Sequence, residues 1–169
     1  MENRNARTLM KKVMIPPETG KNENNRNWSQ IDPQLVNEIW SLLYFDMTSK
    51  ATERAAWGAR ITNDIWRIYL TIAYAVMYHP AFFEQAIEKL VTIALEAIPI
   101  NRPFREGMSN IIRWYRVNND CRVISELIHK IYYRYLTSDY EAPVFGVSSL
   151  CNWRTGIMVV LFEGGDFVK

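Results

Sequence analysis

Cysteine, histidine and glycine are scarce, and neither sign of charge dominates. Two cysteines, Cys121 and Cys151, in 169 residues can form at most one disulfide, which excludes a cysteine-stapled fold; both read as reduced, packed thiols. His79 and His129 are the only histidines, too few and wrongly spaced for a compact zinc finger. Seven glycines and seven prolines exclude collagen-like and low-complexity chains. The longest stretch without a formal charge, Ile68 to Phe83, is shorter than the ~20 residues that span a bilayer and contains Pro80. The N-terminus MENRNARTLMKK has no apolar run of signal-peptide type, so the expected setting is intracellular, cytoplasmic or virion-associated. Catalytic templates are missing as well: there is no Gly-rich loop ending in Lys-Ser or Lys-Thr, no Gly-x-Ser-x-Gly elbow and no His-Glu-x-x-His. The expectation is a protein that is not an enzyme and uses neither cofactor nor metal.

What is present is the composition of one globular domain: 49% hydrophobic, 13% aromatic and 22% charged, long enough to bury a core unaided. The net charge of +2 hides an uneven distribution. Residues 1–29 carry Arg4, Arg7, Lys11, Lys12, Lys21 and Arg26 against Glu2, Glu18 and Glu23, show no sustained period, and read as a flexible basic arm. Residues 30–169 read as a single mainly α domain, a compact bundle of about five helices.

Asp32-Pro33 is a helix-start signal, and the first helix is expected over about 33–45, with Leu35, Ile39, Leu42 and Leu43 on one side. A second helix is expected from about Lys50 to Tyr78. On it Glu53, Trp57, Arg60, Asp64 and Arg67 form one solvated stripe, where Arg60 and Asp64 can pair. Pro80 is expected to stop it and open a third helix to about Ala97, with His79 capping or packing at the junction. A fourth helix over about 104–117 places Met108, Ile111, Ile112 and Tyr115 toward the core and Arg105, Arg113 and Arg116 on a flanking face. A turn at Asn118-Asn119-Asp120 leads to a fifth, about 121–136, burying Ile124, Leu127, Ile128, Ile131 and Tyr135. Residues 138–169 lose the helical period. VFGVSSL and GIMVVLFEGGDFVK predict a short β-hairpin or extended segment around Gly164-Gly165, with a buried helix over GIMVVLF as the open alternative.

The most suggestive constellation interleaves cations with aromatics: Arg102, Phe104, Arg105, Arg113, Trp114, Tyr115 and Arg116, then Lys130, Tyr132, Tyr133 and Arg134. Guanidinium forks suit phosphate oxygens and aromatic faces stack on unpaired bases. The candidate nucleic-acid-binding residues are therefore Arg102, Arg105, Arg113, Trp114, Arg116, Lys130 and Arg134. Arg4, Arg7, Lys11 and Lys12 of the arm add salt-sensitive attraction. The expected function is that of a self-associating, single-stranded-RNA-binding protein, in the style of a small viral structural or accessory protein. The alternative is a helical adaptor or antagonist that grips a partner protein through some of its six tryptophans and nine tyrosines.

One short likeness bears on that alternative. Asn152-Trp153 followed by Phe162-Glu163-Gly164 resembles, over about 14 residues, the first homology motif of the anti-apoptotic B-cell-lymphoma family. That family's helical fold captures an amphipathic helix. The family's Gly-Arg after the tryptophan is Arg154-Thr155 here, and no residue role is carried over.

Overall fold

A computed structural model describes residues 2–100, 102–132 and 149–164. Their regular structure is helical: α1 (Glu2–Met10), α2 (Asp32–Val36), α3 (Ile39–Leu43), α4 (Thr48–Ala59), a single 3-10 turn (Ile65–Arg67), α5 (Ile68–Ala81), α6 (Ile87–Glu96), α7 (Pro103–Val117), α8 (Cys121–Tyr132) and α9 (Ser149–Glu163). Among the described residues no helix is long and apolar enough to cross a membrane.

The main core lies among α5 to α9. It joins Leu70 and Ala73 of α5, Val91, Ala94 and Leu95 of α6, Phe104, Met108, Ile111 and Ile112 of α7, Ile124 and Ile128 of α8, and Trp153, Ile157, Met158 and Leu161 of α9. The sequence of α9 explains its central place. From Gly156 to Phe162 it is apolar on every side, so it must be covered from several directions, and it contacts α5, α6, α7 and α8. Trp153 is fully buried, edge-on to Phe104 at 4.5 Å and to Tyr74 at 5.4 Å between ring centroids. Gly107 is there because the Arg154 guanidinium lies where its Cβ would be. In α7 the proline occupies the first turn, where a missing N–H costs nothing, and Asp120 caps α8 by accepting from the Arg122 N–H at 2.8 Å.

Several expectations are corrected. Residues 2–29 are not a free arm but a packed segment. Ala6 and Trp28 are buried, the Thr19 hydroxyl donates to the Ile61 carbonyl at 2.8 Å, and the Asn25 amide donates to the Thr62 and Thr19 carbonyls at 3.2 Å each. Gly20 permits this approach, since a Cβ there would collide with the Arg60 and Asn63 carbonyls. The expected helix over 50–78 is two helices, because Asn63 and Asp64 turn their side chains to the backbone. Asn63 donates to the Gln30 carbonyl at 2.8 Å, Asp64 accepts from the N–H groups of Asn22 at 3.0 Å and Ile65 at 2.7 Å, and Ile65 takes a φ of 53°. The expected stripe is broken with it: Arg67 is 1% exposed, its guanidinium 5.8 Å from the Trp28 ring centroid.

The helix expected over 33–45 is likewise two, α2 and α3. Pro80 does not end α5, which runs on to Ala81, and α6 starts at Ile87 instead of Pro80. Pro80 lies in the last turn of α5, so its missing N–H forgoes the one bond to the Val76 carbonyl and leaves almost no helix beyond it to break. In the C-terminal region residues 149–163 take the helical alternative, so the extended reading does not hold for them. The motif-like Asn152-Trp153 thereby opens a core helix. Residues 138–148 and 165–169 of that expected segment, with Tyr133, Arg134 and Tyr135, lie outside the described residues.

Candidate functional site

The segment 33–47 is folded inside-out. Asn37 and Ser41, one turn apart, face the body: the Ser41 hydroxyl donates to the Ala75 carbonyl at 3.3 Å, and the Asn37 amide donates to the Pro33 carbonyl at 3.0 Å. The Asn37 oxygen in turn accepts from the Trp40 indole N–H at 3.1 Å. Gly58 of α4 makes room for this, because a Cβ there would overlap the Asn37 side chain. With the polar positions turned inward, Leu35, Val36, Ile39, Leu42 and Leu43 are exposed, Leu43 to 65%. Trp57 of α4, 53% exposed, borders the same surface. A groove of about 200 Å³ between α2–α3 and α4 is lined by Val36, Ile39, Trp40, Trp57 and Ile61.

The apolar surface continues to the end of α5 through Phe45. Its ring packs edge-on to Phe82 at 4.6 Å and to His79 at 5.1 Å, and Phe83 lies 6.1 Å away. Phe82 and Phe83 are themselves 60% and 75% exposed. His79, at the turn where it was expected to cap or pack, packs. The charges around this surface are mixed: Glu38, Asp46 and Glu53 are exposed, as is Arg60, and Lys50 pairs with Glu53 at 3.2 Å. Glu38 also accepts from the Tyr78 hydroxyl at 2.6 Å. Burial and then this bond raise the Tyr78 pKa, while burial pushes Tyr74 up to about 12.

The cation-rich candidates are placed differently. At 100° per residue, Arg105, Arg113 and Arg116 fall within a stripe about 80° wide along α7, and Arg102 is the extended residue just before its first turn. Most of these arginines are engaged. Arg102 sits over the Tyr69 ring at 5.6 Å, Arg105 donates to the Ile98 carbonyl at 2.6 Å, and Arg113 donates to Asn110 at 2.9 Å. Arg116 forms an ion pair with Glu88 of α6, its Nε donating at 2.8 Å. Trp114 is half-buried against the core, and Lys130 is exposed on α8. Arg4, Arg7, Lys11 and Lys12 are exposed on and after α1. Cys121 is a half-buried free thiol; the Cys151 side chain lies outside the described residues.

Sequence reasoning grouped Leu35, Ile39, Leu42 and Leu43 correctly and did not reach their direction. The available signal was the polar pair Asn37 and Ser41 at a spacing of four, which marks a second face able to satisfy itself against backbone. Compared with protein-family models, curated proteins and solved structures, the chain matches none.

Proposed function

We propose that the protein is a non-enzymatic helical binding protein that associates with itself through the outward face of α2–α3, Trp57 and the Phe82-Phe83 end of α5. One observation carries this reading: a run of large apolar side chains is held outward while Asn37 and Ser41 are held inward. An apolar patch on this scale is the mark of an association surface. Eight large apolar residues contribute to it, each between 47% and 75% exposed, and an interface of standard size takes roughly 800 Å² from each partner. A face poor in charge is compatible with its own copy across a two-fold axis, where like charges would otherwise oppose. Its rim, Glu38, Asp46 and Glu53 against Lys50 and Arg60, has no basic excess, unlike the peripheral helices that bind an anionic membrane surface.

Sedimentation of the wild type against Leu42→Glu/Leu43→Glu over a concentration series tests it. The wild type is expected to associate and the variant to remain a folded monomer. A wild type that stays monomeric at every concentration contradicts the reading.

A second reading, contact with single-stranded RNA, is favoured by the alignment of Arg105, Arg113 and Arg116 along α7, with Arg102 just before it. Binding there predicts a steep loss of affinity for an oligouridylate as salt rises. It also predicts that Arg113→Glu weakens binding, Arg113 being the one of the four that is both exposed and bonded to a neutral side chain. A flat salt profile rejects it.

A further inference from the structure

Two arginines far apart in the chain line one concavity. Arg4 of α1 and Arg26, two residues before Trp28, bound a pocket of about 220 Å³ together with Asn5, Thr8 and Asn27. None of the five carries a carboxylate, and two are permanent cations. Asn27 turns its oxygen away from the pocket's needs: that oxygen accepts from the Gln30 amide at 3.0 Å, which leaves the Asn27 NH₂ as the donating end. The Thr8 hydroxyl donates its hydrogen to the Arg4 carbonyl at 2.8 Å and the Asn5 amide donates to Asn25 at 2.8 Å, so the donors left to an anion are the two guanidinium groups and the Asn27 amide.

The walls are fixed rather than loose. Asn25, fully buried, accepts from the Asn5 amide at 2.8 Å and from the Asn27 N–H at 3.1 Å, and its own amide is tied to two carbonyls. Ala6, 1% exposed, anchors α1 beside Arg4. A concavity that holds two like charges on rigid supports is relieved by an anion, and one with several acceptor oxygens matches two planar forks best.

We propose that this pocket binds a phosphate group, gripped by the guanidinium forks of Arg4 and Arg26 with the Asn27 amide as a further donor. The inference is independent of the α2–α3 surface. The phosphate has two possible sources, a phosphodiester of single-stranded RNA or a free phosphate ion, and both present the same oxygens.

The test titrates the full-length protein, isotopically labelled, with inorganic phosphate, with a short oligouridylate and with chloride at matched ionic strength, following backbone amide resonances. Phosphate is expected to shift the amides of Arg4 to Thr8 and of Arg26 and Asn27 where chloride does not. Arg4→Glu and Arg26→Glu should each weaken the response roughly tenfold or more, the scale expected for losing one bidentate charged contact. Arg122→Glu on α8 should leave it intact. An oligouridylate response at the same amides, displaced by phosphate, assigns the RNA source; a response to phosphate alone assigns the free ion. Shifts that miss these amides, or equal shifts with chloride, overturn the proposal. The wild-type mapping decides this even if a charge-reversed variant does not fold.

Discussion

The described residues between 68 and 163 bury leucine, isoleucine, phenylalanine and tryptophan around α9, with Thr71 and Arg154 the buried polar side chains among them. Residues 2–67 bury Thr19, Asn25, Ser29, Gln30, Asn37, Ser41, Thr62, Asn63 and Arg67, with alanines at their helix contacts, and expose Leu35, Ile39, Leu42, Leu43 and Trp57. The later helices are therefore held by area removed from water, about 25 cal/mol for each Å² of apolar surface. The earlier segment is held by directional bonds, each worth about 1 kcal/mol net. A segment attached by such bonds can leave its apolar side chains free for a second surface, and that is where the proposed function sits.

The contrast can be broken at several points, the largest expected effect first. Trp153→Ala removes the ring that touches Phe104 and Tyr74 and should cost about 3–5 kcal/mol, lowering the melting temperature of the whole molecule. Asn25→Ala should cost about 2–3 kcal/mol, because the Thr19 and Thr62 carbonyls and two N–H donors lose their partner. Hydrogen exchange should then show residues 2–31 opening first while α7 and α9 stay protected. If both variants unfold as one unit with identical exchange, the two regions are not held differently.

The next effect is one of pH. Tyr74, pushed up to about 12 in the fold, stays protonated in a range where an unfolded tyrosine, with its ordinary value near 10, ionises. The unfolded state then binds fewer protons, so stability is complete below about pH 10 and falls between pH 10 and 12, by the order of 2 kcal/mol. Denaturant melts at several alkaline pH values read this directly, and Tyr74→Phe should lessen the slope, leaving the part that the raised Tyr78 contributes. The smallest effect is Tyr78→Phe, which removes the bond to Glu38 that ties α3 to α5 across the two regions. Its exposure limits the loss to about 0.5–1 kcal/mol, visible as faster exchange in α3 with little change in α9.

In the later half α7 and α8 were legible in the sequence, whereas the central α9 was expected as a hairpin or extended segment with a helix as the alternative. Met108, Ile111, Ile112, Ile124 and Ile128 repeat at helical spacing, and their burial follows from it. The earlier half was not, for a reason that particular residues make plain. Periodicity locates an apolar stripe on Leu35, Ile39, Leu42 and Leu43 and does not give its direction. The rule that such a stripe faces the core is overridden because Asn37 and Ser41 find partners inside and Gly58 lets the helices close on them. Asn-rich composition read as mobility for the same reason: Asn5, Asn25 and Asn63 bond across long stretches of sequence, and composition carries no trace of such pairings. Local spacing groups Arg105, Arg113 and Arg116 on α7, whereas the Glu88 partner of Arg116 comes from another helix, beyond the reach of local charge counting.

Hydrogen–deuterium exchange of residues 35–47 and 82–83, measured at low and high protein concentration, tests the central claim most directly. If the outward face of α2–α3 is the association surface, protection at these amides rises with concentration in the wild type and not in Leu42→Glu/Leu43→Glu. Association that leaves these amides unchanged while protecting another surface would contradict it.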